Sequence, residues 1–306
     1  MAGALGGVVA MTATYPLIFL STRAAVETKK EHKTVYQAVL DIIKREGVLG
    51  LYSGLSSSLL GIAVTNGVYY YFYERSRAVI VAARPGGKGL STLEAILTGL
   101  IAGSATTMIS NPIWVVQTSQ AVRTLSAAPD DPTHPKIVVK KMGFAETVQS
   151  IFAKDGLGAF WRGIGPALVL VINPVLQYTV FEQLKNILIR RRTEKIRSTG
   201  LGTAVAILSD WDFFFLGALS KLVATGSTYP YIVIKSRMQS GHATALKYKS
   251  ALDGLLTILR EEGIEGLYRG VGSKLVQSVL TAAILFVGQR RIYELTKAAL
   301  SPVIAK

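Results

Sequence analysis

The chain contains no cysteine among its 306 residues. This absence excludes a disulfide framework, a thiol nucleophile and a cysteine metal site. Histidine is scarce as well, and His32, His134 and His242 lack metal-ligand spacing and fall in polar loops. The few acidic residues have no adjacent base and nucleophile pair. We therefore expect a protein that is not an enzyme and that has neither a metal site nor a resident cofactor.

Composition favours a membrane protein with anionic partners. Half of the residues are hydrophobic, the net charge is +15 and the mean hydropathy is +0.37. A basic chain can bind nucleic acid, anionic lipid or an anionic solute. Here the cations occupy short polar stretches between long apolar ones, which argues against nucleic acid. The opening apolar run has no basic leader and no obvious cleavage site, so we expect it to be a mature helix.

One pattern occurs three times. Each copy has a glycine, a proline thirteen residues later, an acid followed by glycine, an aromatic six residues after the acid and a final glycine two residues further on. The copies read Gly3, Pro16, Glu46-Gly47, Tyr52, Gly54; Gly99, Pro112, Asp155-Gly156, Trp161, Gly163; and Gly217, Pro230, Glu262-Gly263, Tyr268, Gly270. Landmarks recurring in one order predict a repeated unit. We expect one domain over residues 1–306, with repeats at approximately 1–83, 90–192 and 211–300 around a three-fold axis.

Six apolar segments have the roughly 20 residues that a spanning helix needs. They lie at about 1–23, 55–80, 90–117, 160–188, 211–236 and 272–298. Pro16, Pro112 and Pro230 fall near the ends of the odd segments, where a proline is expected to kink a helix. Amphipathic stretches at 36–45, 144–154 and 249–261 are typical of helices on a membrane surface. The predicted fold is an all-α membrane protein with six transmembrane helices and three short surface helices.

The repeated pattern resembles the signature of the mitochondrial carrier family. That signature is P-x-[DE]-x-x-[KR] followed by [DE]-G-x-x-x-x-[WYF]-[KR]-G, three times over. Closer similarity at 66–74, 165–177 and 217–221 points to the peroxisomal adenine nucleotide carriers. The resemblance implies a monomeric six-helix carrier that works by alternating access, with one central site for nucleotide-like anions in a lipid bilayer. The implied location is the peroxisomal membrane, with the mitochondrial inner membrane as the alternative.

The chain departs from this family at both of its gates, and the first departure is the loss of every acid from one of them. In the family each proline motif supplies an acid and a base that pair between helices. The acid positions are here Ile18, Trp114 and Ile232, and the base positions are Ser21, Gln117 and Lys235. We call these six positions the proline-side gate. Because no acid remains, we expect it to be closed by apolar and hydrogen-bonding contacts.

The opposite gate of the family uses [FY]-[DE]-x-x-[KR] on the even helices. Glu74 with Arg77 and Glu182 with Lys185 fit this motif, and the spacing from Gly270 places Arg290 at the same level. We call these five residues the opposite gate. An exposed ion pair contributes about 0–1 kcal/mol. Since only the opposite gate retains acids, we expect the empty carrier to favour the conformation closed there, on the cytosolic side.

The resemblance places three mid-membrane contact points on the even helices, at Gly61, Leu170 and Gln277, with Thr65 one turn beyond the first. Of the three, only Gln277 is polar. Gly61 and Leu170 either form a flat apolar shelf for a purine ring or simply pack against other helices. Tyr69 and Asn173 either stack on and hydrogen-bond to the substrate or bridge helices.

Two lysines are the candidate phosphate ligands. Lys221 stands where the other odd spans have glycine, and a lysine deep in a span costs roughly 2.5–3.5 kcal/mol. Such a residue faces water, a partner or a ligand, unless it snorkels to the interface. Lys274 shares a helix face with Gln277. Its alternative role is that of an interfacial anchor.

The function expected from these features is exchange of ATP for AMP or ADP across the peroxisomal membrane. Coenzyme A, NAD and FAD share the adenosine-phosphate group and are the alternatives within the family. A proton or fatty-acid leak protein is the alternative of a different class. A membrane scaffold is a third class, and it would not depend on Lys221 or Gln277.

Overall fold

Long apolar segments separated by short polar ones give a helical chain. The structure is a computed structural model that describes residues 2–26, 35–83, 89–122, 142–198, 207–241, 248, 250–281 and 284, and these residues contain no β-strand. In chain order the helices are α1 (Ala2–Val26), α2 (Val35–Glu46), α3 (Leu55–Ala82), α4 (Thr92–Val122), α5 (Phe144–Asp155), α6 (Ile164–Val169), α7 (Asn173–Ser198), α8 (Asp210–Ser240), α9 (Ala251–Leu267) and α10 (residues 271–281). The all-α prediction is confirmed.

The predicted spanning segments coincide with long helices. Three described segments, Val48–Ala82, Thr92–Val122 and Leu157–Ser198, are long and apolar enough to cross a membrane. The predicted first and fifth spans match α1, with 25 residues, and α8, with 31. At 1.5 Å per residue both exceed the thickness of a hydrocarbon core. The predicted sixth span begins as α10, and most of its remainder lies outside the described residues.

The three repeated prolines lie inside the odd helices α1, α4 and α8, as predicted. Each removes one backbone hydrogen bond from its helix. The three predicted surface helices correspond to α2, α5 and α9. Each repeat therefore contributes a proline-containing helix and then a shorter helix, and in the first two repeats a second long helical segment follows.

Backbone conformation explains the repeated glycines. Both glycines that follow the acid in each copy adopt positive φ angles, from 71° to 86°, which only glycine takes without strain. The second also permits close packing. A Cβ atom at Gly163 would lie 3.1 Å from the Lys235 carbonyl oxygen, and one at Gly270 would lie 2.9 Å from that of Ser21. Lys235 and Ser21 occupy equivalent positions in their own repeats, so the same close approach occurs twice.

The chain packs as two compact units. Unit 1 comprises the described residues within Met1–Leu17, Asn173–Ser227 and Lys274–Lys306, and unit 2 those within Ile18–Ile172 and Thr228–Ser273. Unit 2 contains two hydrophobic clusters at matching repeat positions. One joins α4, α5 and the turn after it through Val115, Val116, Ile151, Ala159 and Phe160. The other joins α1, α8 and α9 through Ala25, Tyr229, Val233, Ile234, Ile258 and Leu267. The repetition seen in the sequence is therefore also a repetition of the core.

Candidate functional site

The eight predicted substrate-contact residues are divided equally between the two units. Gly61, Thr65, Tyr69 and Leu170 belong to unit 2, and Asn173, Lys221, Lys274 and Gln277 belong to unit 1. Each group has its own geometry, and the two groups differ in chemistry. The unit 1 residues are polar or charged, whereas those of unit 2 lie beside a tryptophan, a tyrosine and apolar side chains.

Lys221 lies in the middle of α8 with its ammonium group near α7. Its Nζ is 3.5 Å from Asn173 Oδ1, at the long end of hydrogen bonding, and the Asn173 amide donates to the Ala224 carbonyl at 3.3 Å. The side chain is partly buried. Within the described part of the chain no carboxylate forms an ion pair with Lys221. An uncompensated cation inside a spanning helix is costly, and an anionic ligand would offset that cost.

The helix that carries Leu170 and Asn173 is interrupted between them. α6 ends at Val169, a 3-10 turn covers Leu170–Ile172, and α7 starts at Asn173. Pro174 has no N–H, so the Leu170 carbonyl lacks its usual helical donor. Irregular backbone at membrane depth is tolerated only where it is covered by protein or lines a water-filled cavity. Sequence reasoning missed this interruption, although the Asn-Pro dipeptide is a signal for it.

Gln277 anchors a chain of hydrogen bonds in unit 1. Its Nε2 donates to Thr281 Oγ1 at 2.9 Å, the Thr281 and Thr14 hydroxyls are 3.1 Å apart, and Thr14 donates to the Ala10 carbonyl at 2.8 Å. Gln277 is only 8% exposed, and its buried Oε1 has no hydrogen-bond donor among the residues that the structure describes. Leaving a buried acceptor unsatisfied costs about 1–3 kcal/mol. This oxygen is therefore available to a donor on a ligand.

Lys274 lies one turn before Gln277 on α10. Its backbone carbonyl accepts the Ser278 hydroxyl at 2.9 Å, and its side chain is partly buried. Together, Lys221, Asn173 and Gln277 place one cation, one amide and one unsatisfied acceptor in unit 1, and Lys274 adds a second cation.

Trp114 dominates the unit 2 group. The indole packs directly on Gly61, where a Cβ atom would lie 3.3 Å from the ring, and its Nε1 donates to Thr65 Oγ1 at 3.3 Å. The Lys235 ammonium lies 6.0 Å from the centroid of the same ring. In this structure Trp114 covers the surface of Gly61 that was expected to receive a purine, and substrate contact by Gly61 stays a prediction. Thr65 is likewise engaged by the indole.

Tyr69 packs between α3 and α4. Its ring stacks on Tyr73 with centroids 5.8 Å apart, and its hydroxyl lies 3.5 Å from the position of a Cβ at Gly99. Gly99 is the small residue that the repeat pattern places thirteen positions before Pro112. In this conformation Tyr69 therefore bridges two helices, which is the second of its predicted roles.

The proline-side gate region is crossed by contacts between repeats. Lys235 of α8 faces Trp114 of α4, and two positions further on Arg237 Nε donates to the Ala25 carbonyl of α1 at 2.9 Å. Gln239 Nε2 donates to Asn111 Oδ1 at 3.0 Å, and Thr118 donates to Gln239 Oε1 at 3.3 Å. In the described residues the six gate positions form no ion pair. How this gate closes stays a prediction.

The described residues of the opposite gate form ion pairs of another kind. Arg77 contacts Glu74 at 3.2 Å and Lys185 contacts Glu182 at 2.6 Å, three residues apart in each case. Both pairs therefore lie within one helix rather than between helices. The first is open to the surroundings, with side chains 51% and 61% exposed. Arg290 lies outside the described residues.

Comparison with known families gives one match that covers almost the whole chain. The family model described as "Mitochondrial carrier protein" matches residues 1–83, 88–192 and 208–302. The three matched segments follow the three repeats of the sequence pattern.

Several individual relatives are named as carriers or membrane proteins of peroxisomes. The chain is 35% identical to the peroxisomal nicotinamide adenine dinucleotide carrier of Arabidopsis thaliana, over 98% of this chain and 96% of that protein. It is 32% identical to peroxisomal membrane protein PMP34 of Mus musculus, over 98% and 92% of the two chains. It is 27% identical to peroxisomal adenine nucleotide transporter 1 of Saccharomyces cerevisiae, over 94% and 88%. The prediction of a peroxisomal membrane carrier is confirmed at the level of these relatives.

Proposed function

Because the chain belongs to the mitochondrial carrier family, whose members are transporters, we propose that it exchanges adenine nucleotides across the peroxisomal membrane. ATP would move in one direction and AMP or ADP in the other, by alternating access of one site in a monomeric carrier.

The observation that carries this proposal is the environment of Lys221. Lys221 is a partly buried lysine that donates to an amide oxygen at 3.5 Å, and among the described residues no carboxylate pairs with its positive charge. A phosphate group would supply that counter-ion, and lysine binds phosphate as a point charge. Lys274, in the same unit, is the second cation proposed to contact the phosphates.

Gln277 is proposed to recognise the base. No donor to its buried Oε1 is found in the described part of the chain, and the exocyclic amino group of adenine is such a donor. A site that leaves a buried polar atom unpaired discriminates against ligands that cannot satisfy it. Leu170 and Asn173 at the helix interruption complete the proposed contacts. Gly61, Thr65 and Tyr69 are engaged inside the protein in this conformation, so we propose that they contact substrate only after Trp114 moves.

A second candidate substrate is NAD. The relative with 35% identity is named as a peroxisomal carrier of this dinucleotide, and NAD presents the same adenosine-phosphate group to Lys221 and Gln277. Coenzyme A and FAD share this group as well. The adenine amino group and the phosphates are common to all four, so discrimination among them would rest on the remainder of the ligand.

Uptake into liposomes tests the proposal. Purified protein is reconstituted into vesicles loaded with AMP, and entry of radiolabelled ATP is compared with entry of labelled NAD and coenzyme A. We expect saturable ATP uptake that requires internal AMP or ADP. Faster exchange of NAD than of ATP would make NAD the proposed substrate, and the proposed carrier mechanism would be unchanged. Proton conductance without any counter-substrate, and no nucleotide exchange, would instead support a leak protein.

A further inference from the structure

Repeats 2 and 3 differ at the position seven residues after the proline. In repeat 3 this residue is Arg237, which is 2% exposed. Its guanidinium forms a two-fold ion pair with Glu262, with Nη2 2.8 Å from Oε2, and its Nε donates to the Ala25 carbonyl at 2.9 Å. Arg237 therefore connects the surface helix of its own repeat to the end of α1 in the next repeat.

Repeat 2 retains the two acceptors of this arrangement but not the arginine. Asp155 is the counterpart of Glu262, since each precedes the first repeated glycine. Gln239 is the counterpart of Ala25, since each lies nine residues after its proline. At the position of Arg237, repeat 2 has Ser119.

A cavity occupies the space that the arginine would fill. It has a volume of about 210 Å³, and its lining includes Ser119, Asp155 and Gln239 together with Lys154 and Arg162. One water molecule takes up about 30 Å³ of liquid, so the cavity has room for a small organic cation. A void of this size next to an acid, at the place where the adjoining repeat buries a guanidinium, indicates a vacated arginine site.

The cavity lining carries one carboxylate, Asp155, and two cations, Lys154 and Arg162. Arg162 contacts Asp155 at 2.9 Å, just as Arg269 contacts Glu262 at 3.5 Å. Glu262 nevertheless binds Arg237 in addition, so a carboxylate at this position of the repeat accommodates two guanidinium groups. Gln239 lies in the last turn of α8, where backbone carbonyls have no helical donor and the helix dipole favours positive charge.

We propose that this cavity binds a small cation with a guanidinium or primary amine head group. The head group bridges Asp155 and the Gln239 carbonyl, as Arg237 bridges Glu262 and Ala25. Bound there, the ligand ties α4 and α5 of repeat 2 to the end of α8 of repeat 3. It therefore stabilises the packing around the proline-side gate and lowers the rate at which that gate opens. Binding itself does not depend on the proposed transport function.

Thermal unfolding of the detergent-solubilised full chain tests the site without measuring transport. Ethylguanidinium chloride is titrated in the low millimolar range, and tetramethylammonium chloride, which carries the charge but no N–H donor, is the salt control. We expect a saturable rise of about 2–4 °C in the melting temperature with ethylguanidinium only. An equal response to both salts, or no saturation, would show a general salt effect and overturn the proposal.

Two variants locate the response. Ser119→Arg restores the missing side chain, so it is expected to raise the melting temperature on its own and to abolish the response to ethylguanidinium. Asp155→Asn keeps the shape of the cavity but removes its charge, and we expect at least a ten-fold loss of apparent affinity, about 1.4 kcal/mol. An undiminished response in either variant would place the ligand elsewhere. If Ser119→Arg does not fold, Asp155→Asn still tests whether the ligand binds in this cavity.

Discussion

The two gate regions of this carrier use charge in opposite ways. At the proline-side gate, which has no acids, contacts run between helices: Lys235 faces Trp114 of another repeat, and Arg237 and Gln239 reach α1 and α4. At the opposite gate, which retains its acids, Glu74 and Glu182 each contact a base three residues away on their own helix. The presence of a charged motif therefore does not establish that it links helices.

This difference bears on the expectation that the empty carrier is closed on the cytosolic side. That expectation assumed that acids strengthen whichever gate contains them. The described acid–base pairs of the opposite gate stabilise single helices by about 0.2–0.5 kcal/mol each and do not draw two helices together. Buried hydrogen bonds and a cation–π contact cross the proline-side gate region instead. The preference of the empty carrier stays a prediction, and variants at Arg237, Trp114 and Glu74 test the comparison.

The largest effect is expected from Arg237→Ser. The substitution leaves Glu262, only 10% exposed, with Arg269 alone at 3.5 Å and removes the bond to Ala25. Breaking a buried ion pair costs about 3–5 kcal/mol. We expect thermal unfolding of the variant to begin many degrees below that of the parent. Arg162→Ser, which breaks a pair about 20% exposed, is the matched control and is expected to cost less. Equal losses of thermal stability in the two variants would mean that the deeper burial of the Arg237 pair does not make it the more stabilising one.

The next largest effect is expected from Lys221→Gln on nucleotide exchange. Glutamine keeps the length and polarity of the side chain but removes the charge proposed to bind phosphate. A hydrogen bond to a charged group is worth about 1.5–3 kcal/mol, so exchange at low substrate should fall about 10- to 100-fold. Initial rates of ATP uptake into AMP-loaded liposomes measure this. Lys44→Gln on α2, an exposed position, controls for net charge. Unchanged exchange in Lys221→Gln would favour a structural or snorkelling lysine.

Much of the fold was predictable because its signals are local. Apolar runs located the long helices, amphipathic spacing located α2, α5 and α9, and the repeated glycines marked backbone with positive φ. The sequence also showed that the proline-side gate lacks acids. Each of these inferences uses residues that are close together in the chain or that recur at a fixed interval.

The contacts of the candidate site were less predictable because they depend on partners that are distant in sequence. The proline pattern gives Trp114 a position on α4, but not the fact that its indole lies on Gly61 and faces Lys235. Glu74 and Arg77 fit the gate motif equally well whether they pair with each other or with other helices. The helix interruption at Leu170–Ile172 was predictable in principle, because the adjacent dipeptide Asn173-Pro174 is a local signal for it.

A smaller effect is expected from substitutions of Trp114. Trp114→Leu removes the cation–π contact with Lys235, worth about 0.5–2 kcal/mol, and should lower the melting temperature modestly. Trp114→Asp restores the acid of the family motif beside Lys235 and should slow ATP exchange by strengthening the closed proline-side gate. The double variant Trp114→Asp with Lys235→Met loses the indole but cannot form the new ion pair. Comparing it with Trp114→Asp therefore separates the effect of the ion pair from that of losing the indole. If Trp114→Asp slows exchange equally with and without Lys235, the new ion pair is not the cause.

The smallest effect is expected from Glu74→Gln, because its pair with Arg77 is exposed and lies within one helix. Such pairs contribute about 0–1 kcal/mol and weaken further as salt is added. The melting temperature should change by no more than about 1–2 °C. Glu182→Gln, whose pair is about half as exposed, should change it slightly more.

Because the parent chain has no cysteine, single-cysteine labelling on either side of α3 reports gate opening without background. A large shift in labelling by Glu74→Gln would show that Glu74 links helices in another state of the cycle. The opposite gate would then be an ionic latch after all, one that forms only when the proline-side gate opens.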